Sequence, residues 1–261
     1  MPAADADVRV LEEGEIGLFY RPRVETEQVR SLADVQRLLI VLAPHGRRTY
    51  RLLSIGRKRL PDPAERGRER FWGVVGRVGA AADAIAPELE AHDYPTRTRG
   101  WRHQPEARMA GEGTYRLLRH GSHTHLTYAL TGPHELGEMQ EDLRIQPEAS
   151  YVVTVKNPAR RADPDARADD PGAWSAAHHD PEVTLPPGLM ARFRGRRYAE
   201  ADPPEFLDHA GVEFILIAAS DDVEAELGVS AGAEDGRPAR EMGEVLGLEP
   251  VRSGSADGGW E

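Results

Sequence analysis

Short apolar runs, each closed by proline or glycine, dominate the first eighty residues. GEIGLFYRP (14 to 22) is rich in apolar and aromatic residues and stops at Pro22, which predicts a strand. RLLIVLAP (37 to 44) is more continuously apolar and predicts a central strand. TYRLLSIGRKRLP (49 to 61) follows the turn residues Pro44-His45-Gly46, and FWGVVGRV (71 to 78) is a fourth strand. AADAIAPELEA then spaces Ile85 and Leu89 four apart, predicting a short helix with Pro87 in its first turn.

A similar order returns about a hundred residues later, in register with the first by element rather than by spacing. GTYRLLRHG (113 to 121) lines up with the first strand, HLTYALTGP (125 to 133) with the second and SYVVTVKNPARRADP (150 to 164) with the third. FILIAASDDVEAELG (214 to 228) matches the fourth strand and its helix. The expected fold is therefore α+β, mainly antiparallel sheet, as two related β-β-β-β-α units, with a single sheet lacking any duplication as the alternative. The units span 14 to 110 and 111 to 228. The second carries a Pro/Asp/Arg-rich insertion at 157 to 211, whose packed part is expected around Leu189, Met190, Phe193, Phe206 and Leu207. Residues 229 to 261 have few large apolar side chains and are expected to be a disordered tail, with a helical turn at Glu241 to Leu248.

The phrases FYRPRVE, GRKRLPD, THLTYAL, YVVTVKNP and FRGRRYAEADPPEFLD resemble those of a family of uncharacterised prokaryotic proteins, over roughly residues 14 to 228. The resemblance implies one unit of fold and supplies neither catalytic residues nor a cofactor.

Composition narrows the function classes. A net charge of −11 argues against a general nucleic-acid binder, because phosphate contacts need a basic surface. The positive charge is almost all arginine, with Lys58 and Lys156 the only lysines, and Arg194-Gly195-Arg196-Arg197 forms a local cluster. Such a bias follows genome composition more often than selection for anions, although arginine suits bidentate anion contacts. No cysteine is present, so disulfides, thiolate metal sites and cysteine nucleophiles are excluded. No apolar run reaches the ~20 residues of a membrane helix, and MPAADADVRV lacks the pattern of a signal peptide, so the expected compartment is the cytoplasm.

Candidate chemistry concentrates in RHGSHTHLTYALTGPHE (119 to 135), which holds four of the ten histidines. Gly121-Ser122 reads as the two-residue loop of a hairpin with glycine where a type II′ turn needs it. That register sets His120 opposite His123, Leu118 opposite His125, Arg116 opposite Thr127, Leu117 opposite Leu126 and Tyr115 opposite Tyr128. One face is then apolar, and the other gathers His120, His123, His125, Arg116 and Thr127. Three imidazoles at such spacing suit a divalent metal such as zinc, whose open position would activate water. The plain alternative is a polar sheet face on a wet hairpin. His125-x-Thr127 also resembles one motif of the two-histidine phosphoesterases, in which histidine moves a proton and threonine holds phosphate. The second copy of that motif is missing here. Nucleotide-cradle, zincin and serine-hydrolase signatures are absent from the sequence.

The favoured reading is a soluble, non-catalytic binding or assembly protein whose partner is a protein or a small-molecule ligand. The alternative is a His-dependent metal hydrolase or single-motif phosphoesterase, with His125, Thr127 and Arg116 as catalytic candidates and His120, His123 and His125 as metal ligands. Partner identity and oligomeric state do not follow from the sequence.

Overall fold

The computed structural model describes residues 8 to 160, 183 to 246 and 260. The apolar runs form strands where expected. The first four are β1 (Val8–Pro22), β2 (Val35–Pro44), β3 (Tyr50–Ile55) and β4 (Arg70–Gly79). A two-stranded ribbon, β5 (His92–Thr96) and β6 (Gly100–Gln104), stands outside the main sheet. Then come β7 (Arg108–His120), β8 (His123–Gly132), β9 (Glu148–Lys156), β10 (Tyr198–Glu200) and β11 (Glu213–Ser220).

The main sheet runs β9-β11-β4-β3-β2-β1-β7-β8 and closes through pairing of β8 with β9, every neighbour antiparallel. It is an eight-stranded barrel; β10 extends the β9 edge beyond the point where β8 leaves it. The expected α+β class is thus corrected. The described α-helices, α1 (Glu138–Leu143), α2 (Pro187–Arg192), α3 (Val223–Leu227) and α4 (Met242–Leu246), have at most six residues and form no layer of their own. The helix expected around Ile85 and Leu89 is two one-turn 3-10 helices, because Pro87 lacks the N–H that an α-helical ladder would use. Strands from both segments, 14 to 110 and 111 to 228, enter the one sheet. Closure satisfies the edge groups that an open sheet would expose.

Alternation decides which side chains fill the barrel. Ile16, Leu18 and Tyr20 of β1, Leu38, Ile40 and Leu42 of β2, and Tyr151, Val153 and Val155 of β9 all belong to the inner core. One end is plugged by ions: the wholly buried Arg51 donates to both oxygens of Glu12 and to Asp208 Oδ1 (2.7 Å), and Tyr115 donates to Glu12 Oε1 at 2.8 Å. Every charge in this plug is paired, which a buried ion requires.

The outer wall of β1 to β3 is apolar too, which explains the uninterrupted run of β2. Phe19, Leu39, Val41, Ala43 and Leu52 are covered by Ile85, Leu89, Met242, Val245 and Leu246. The expectation of a disordered tail is therefore corrected for residues 229 to 246. A Cβ on Gly17 would lie 2.6 Å from Met242 Cγ, so glycine lets α4 sit directly on β1. Arg240 Nε donates to Glu15 Oε1 (3.0 Å), and His45 lies between Glu15 Oε1 (3.0 Å) and Asp235 Oδ2 (2.6 Å). Burial alone would raise the Glu15 carboxyl; the hydrogen bonds from Arg240 and His45 outweigh it and hold the group below its ordinary value.

The packed part of the insertion lies where expected, with Leu189, Phe193, Phe206 and Leu207 in the core and Met190 partly buried against it. Residues 161 to 182 of the insertion, 247 to 259 and 261 of the tail, and 1 to 7 lie outside the described residues. Among the described residues no helix is long and apolar enough to cross a membrane.

Candidate functional site

The β7–β8 hairpin has the predicted register. His120 pairs with His123, Leu118 with His125, Arg116 with Thr127, Leu117 with Leu126 and Tyr115 with Tyr128. Gly121, at φ 58, opens the two-residue loop in the left-handed region that glycine enters without a Cβ clash. Tyr115, Leu117, Leu126 and Tyr128 face the barrel core, and Leu130 is partly buried against it.

The opposite face is polar as predicted, yet most of it is dry. Helix α3 and the chain after it lie over β7, with Leu118 packed against Val223, Leu227 and Ala231. The buried Arg116 places Nε 3.0 Å from Glu13 Oε1 and donates through Nη1 to the carbonyl of Ser230 (3.1 Å). Thr127, wholly buried, donates to the carbonyl of Ala231 at 2.7 Å. His125 Nδ1 lies 3.0 Å from Ser150 Oγ and 3.9 Å from Glu226 Oε1. All three catalytic candidates are thus brought together, with Arg116 and Thr127 clamping the segment that covers them and His125 bonded to Ser150 of β9.

The chemistry of this cluster follows from its burial. Desolvation, then the neighbouring His120 and His123, push His125 down to about 4, so its ring is neutral. Burial raises Glu226, an effect that Ser150, Arg66 and His120 partly offset. Serine, histidine and glutamate in one cluster invite a nucleophile reading. Ser150 and Glu226 nevertheless approach the same ring nitrogen, so no relay through the imidazole is formed.

The three histidines expected as metal ligands lie on one side of the sheet but separate by environment. The His120 and His125 rings are 5.8 Å apart, with His125 buried and His120 at the margin. His123 is exposed and turns toward a different feature. Among the described residues no three histidine or carboxylate side chains are grouped so as to hold a metal ion.

His123 instead lines a cleft of about 200 Å³ between the hairpin tip and the α2–β10 segment. Four arginines, Arg119, Arg192, Arg194 and Arg196, line it against two carboxylates, Glu200 and Asp202. Arg119 is engaged with Asp202 at 2.9 Å, and Arg196 is 3.7 Å from Glu200. Arg192 and Arg194 have no carboxylate partner among the described residues. On the floor lies Thr124, wholly buried, whose hydroxyl has no hydrogen-bond partner. A buried polar group without a partner costs about 1 to 3 kcal/mol, which a ligand oxygen would recover. Arg194 also holds φ 48, a left-handed conformation unfavourable for an arginine, immediately before Gly195 at φ 74.

This cleft was visible in the sequence only as the cluster Arg194 to Arg197. Its other wall comes from the hairpin: the alternation that puts Leu126 and Tyr128 inside also puts Thr124 inside, a hydroxyl in an apolar row.

Comparison with curated proteins finds a partial similarity to the 4-hydroxy-3-methylbut-2-enyl diphosphate reductase of Acidithiobacillus ferrooxidans, 32% identical over 100 residues. The matched stretch is 36% of this chain, and the chain spans about a third, 32%, of the length of that relative. No family model and no solved structure matches the chain.

Proposed function

We propose that the protein is a non-catalytic binding protein whose arginine cleft captures a small, multiply charged oxyanion such as a phosphate-bearing metabolite. The observation that carries this reading is the pairing of two arginines without a carboxylate partner among the described residues, Arg192 and Arg194, with the unpartnered hydroxyl of buried Thr124 in one cleft. Guanidinium groups suit oxyanions because their planar donors match two oxygens at once. The net charge of −11 favours a small anion over a nucleic acid: an acidic surface repels a long polyanion, while one locally positive cleft still accepts a compact one. Support for a binding rather than a catalytic role comes from His125 and Thr127, whose proton-moving and phosphate-holding chemistry is covered by α3 and residues 230 to 231. Membership of the uncharacterised prokaryotic family and a cytoplasmic location belong to the same proposal.

The partial relative is named for a diphosphate compound, so pyrophosphate is a natural first probe. Calorimetric titration with pyrophosphate, phosphate and sulfate tests the reading. Pyrophosphate should bind tightest, affinity should fall with salt, and Arg192→Ala and Arg194→Ala should each cost about tenfold, equivalent to ~1.4 kcal/mol. Equal binding by wild type, both arginine variants and Thr124→Val would refute it.

A further inference from the structure

A second feature lies on another part of the barrel: a groove of about 480 Å³ between the outer wall of β2–β3 and the β5–β6 ribbon. Its volume falls within the usual range for small-molecule sites. We propose that this groove binds a small flat organic monoanion, a carboxylate carried on an aromatic or similarly planar apolar body.

Charge is the first argument. Arg21 and Arg37 stand directly opposite each other on β1 and β2, and both line the groove. Like charges in such cross-strand positions destabilise a sheet unless something offsets them. The Arg21 guanidinium donates to three main-chain carbonyls, those of Pro105 (2.9 Å), Glu90 (3.3 Å) and Glu88. Those acceptors are neutral and satisfy its hydrogen bonds, while the carboxylates of Glu88 and Glu106 offset part of its charge. Burial and then Arg37 lower Arg21 to about 10, against the opposing pull of Glu88 and Glu106.

The second argument is an unmet hydrogen bond. Ser54, which pairs with Leu39 across β2 and β3, is 5% exposed, lines the groove and has a hydroxyl with no partner. An anionic oxygen at this position would accept the Ser54 proton and face the arginine pair.

Shape and sign select the rest of the ligand. Leu39 and Leu52 form an apolar floor, and the rings of His92 and Tyr94, 6.0 Å apart, stand on the ribbon side. A flat ring between an aliphatic floor and an aromatic wall buries both faces. Glu88 also lines the groove and adds one negative charge, which favours a monoanion over a phosphate dianion. The chemistry is therefore distinct from that of the arginine cleft, where no apolar floor is present.

The test is titration of the full chain with benzoate and indole-3-acetate, followed by calorimetry and by amide chemical shifts, with acetate, benzyl alcohol and phosphate as comparison probes. Both aromatic acids should bind at least tenfold tighter than acetate and than benzyl alcohol, and should shift amides at Ser54 and Gly76. Arg37→Met should lose about tenfold and Ser54→Ala several-fold in affinity, while Arg194→Ala, in the other cleft, should leave aromatic-acid binding unchanged. If Arg37→Met fails to fold, Ser54→Ala and the mapped shifts decide the matter alone. The proposal is overturned by affinities that match acetate, an adventitious anion only, or that survive in Ser54→Ala. It is equally overturned by no saturable binding of either acid up to about 10 mM, or by shifts confined to the arginine cleft.

Discussion

Met242→Ala removes the side chain that seats the C-terminal segment on the barrel. Met242 is wholly buried, lies in one cluster with Phe19, and meets β1 at Gly17 beside the Phe19 ring. A buried Met→Ala change of this kind costs about 2 to 5 kcal/mol. The seat of α4 on the outer wall is one cluster of contacts, however, so the loss has a ceiling: once α4 lifts from β1, further damage to that cluster has no effect. Two measurements separate these regimes. If docking and barrel unfold together, the melting temperature should drop by roughly 5 to 15 °C. If the segment opens alone, amides of residues 231 to 246 should exchange about 30-fold faster or more, with a smaller change in melting. Unchanged melting together with unchanged exchange would show that the contacts of α4 contribute nothing, and the assignment of the tail as part of the fold would fail.

Leu126→Ala should destabilise by about 2 to 5 kcal/mol in denaturant titration, since Leu126 is 3% exposed inside the barrel; a neutral result would reverse the face assignment of the hairpin. Stability should fall as pH drops from about 6.5 toward 4, by on the order of 3 kcal/mol, because His125 is neutral in the fold at about 4 while the unfolded ring binds a proton near 6.5. His125→Gln should flatten that limb of a stability–pH profile; an unchanged slope would place the acid sensitivity elsewhere. Arg194→Gly relieves the left-handed strain at φ 48 and should raise stability by about 0.5 to 1 kcal/mol while weakening pyrophosphate binding, so a loss of stability on calorimetric melting would remove strain from the account of the cleft.

The local parts of this molecule were readable from the chain. A two-residue loop with glycine first fixes one hairpin register, and the pairs from Tyr115–Tyr128 to His120–His123 follow from it without tertiary information. Closure of the barrel did not follow, because the alternation of β1, β4, β7 and β11 is the same in an open sheet. Pairing of β1 with β7 and of β4 with β11 joins strands remote in sequence. The alternation of β7 and β8 marks the outer face of the hairpin as polar but not as dry, since nothing in either strand announces that Val223, Leu227 and Ala231 will cover Leu118. The tail carried a faint signal: Met242, Val245 and Leu246 have the i, i+3, i+4 spacing of a helix with one apolar face, diluted by the polar residues around them. The arginine cleft was half legible, because Arg194 and Arg196 are neighbours in sequence whereas Arg119 and Thr124 arrive from a different hairpin.

The order in which a ribosome delivers the strands gives barrel closure a cost in time. β1 to β4 emerge first and can pair among themselves, but β1 must wait for β7, and β4, complete at Gly79, has no second neighbour until Glu213 begins β11. At 5 to 20 residues per second, that wait of roughly 130 residues lasts on the order of 10 s, during which β4 remains an open edge of an apolar sheet. Such edges are templates for pairing with other nascent chains. Overexpression at high temperature should therefore favour aggregation of incomplete chains, and a trigger-factor-like holdase or slower, cooler expression should raise the soluble yield before any change to the finished barrel does.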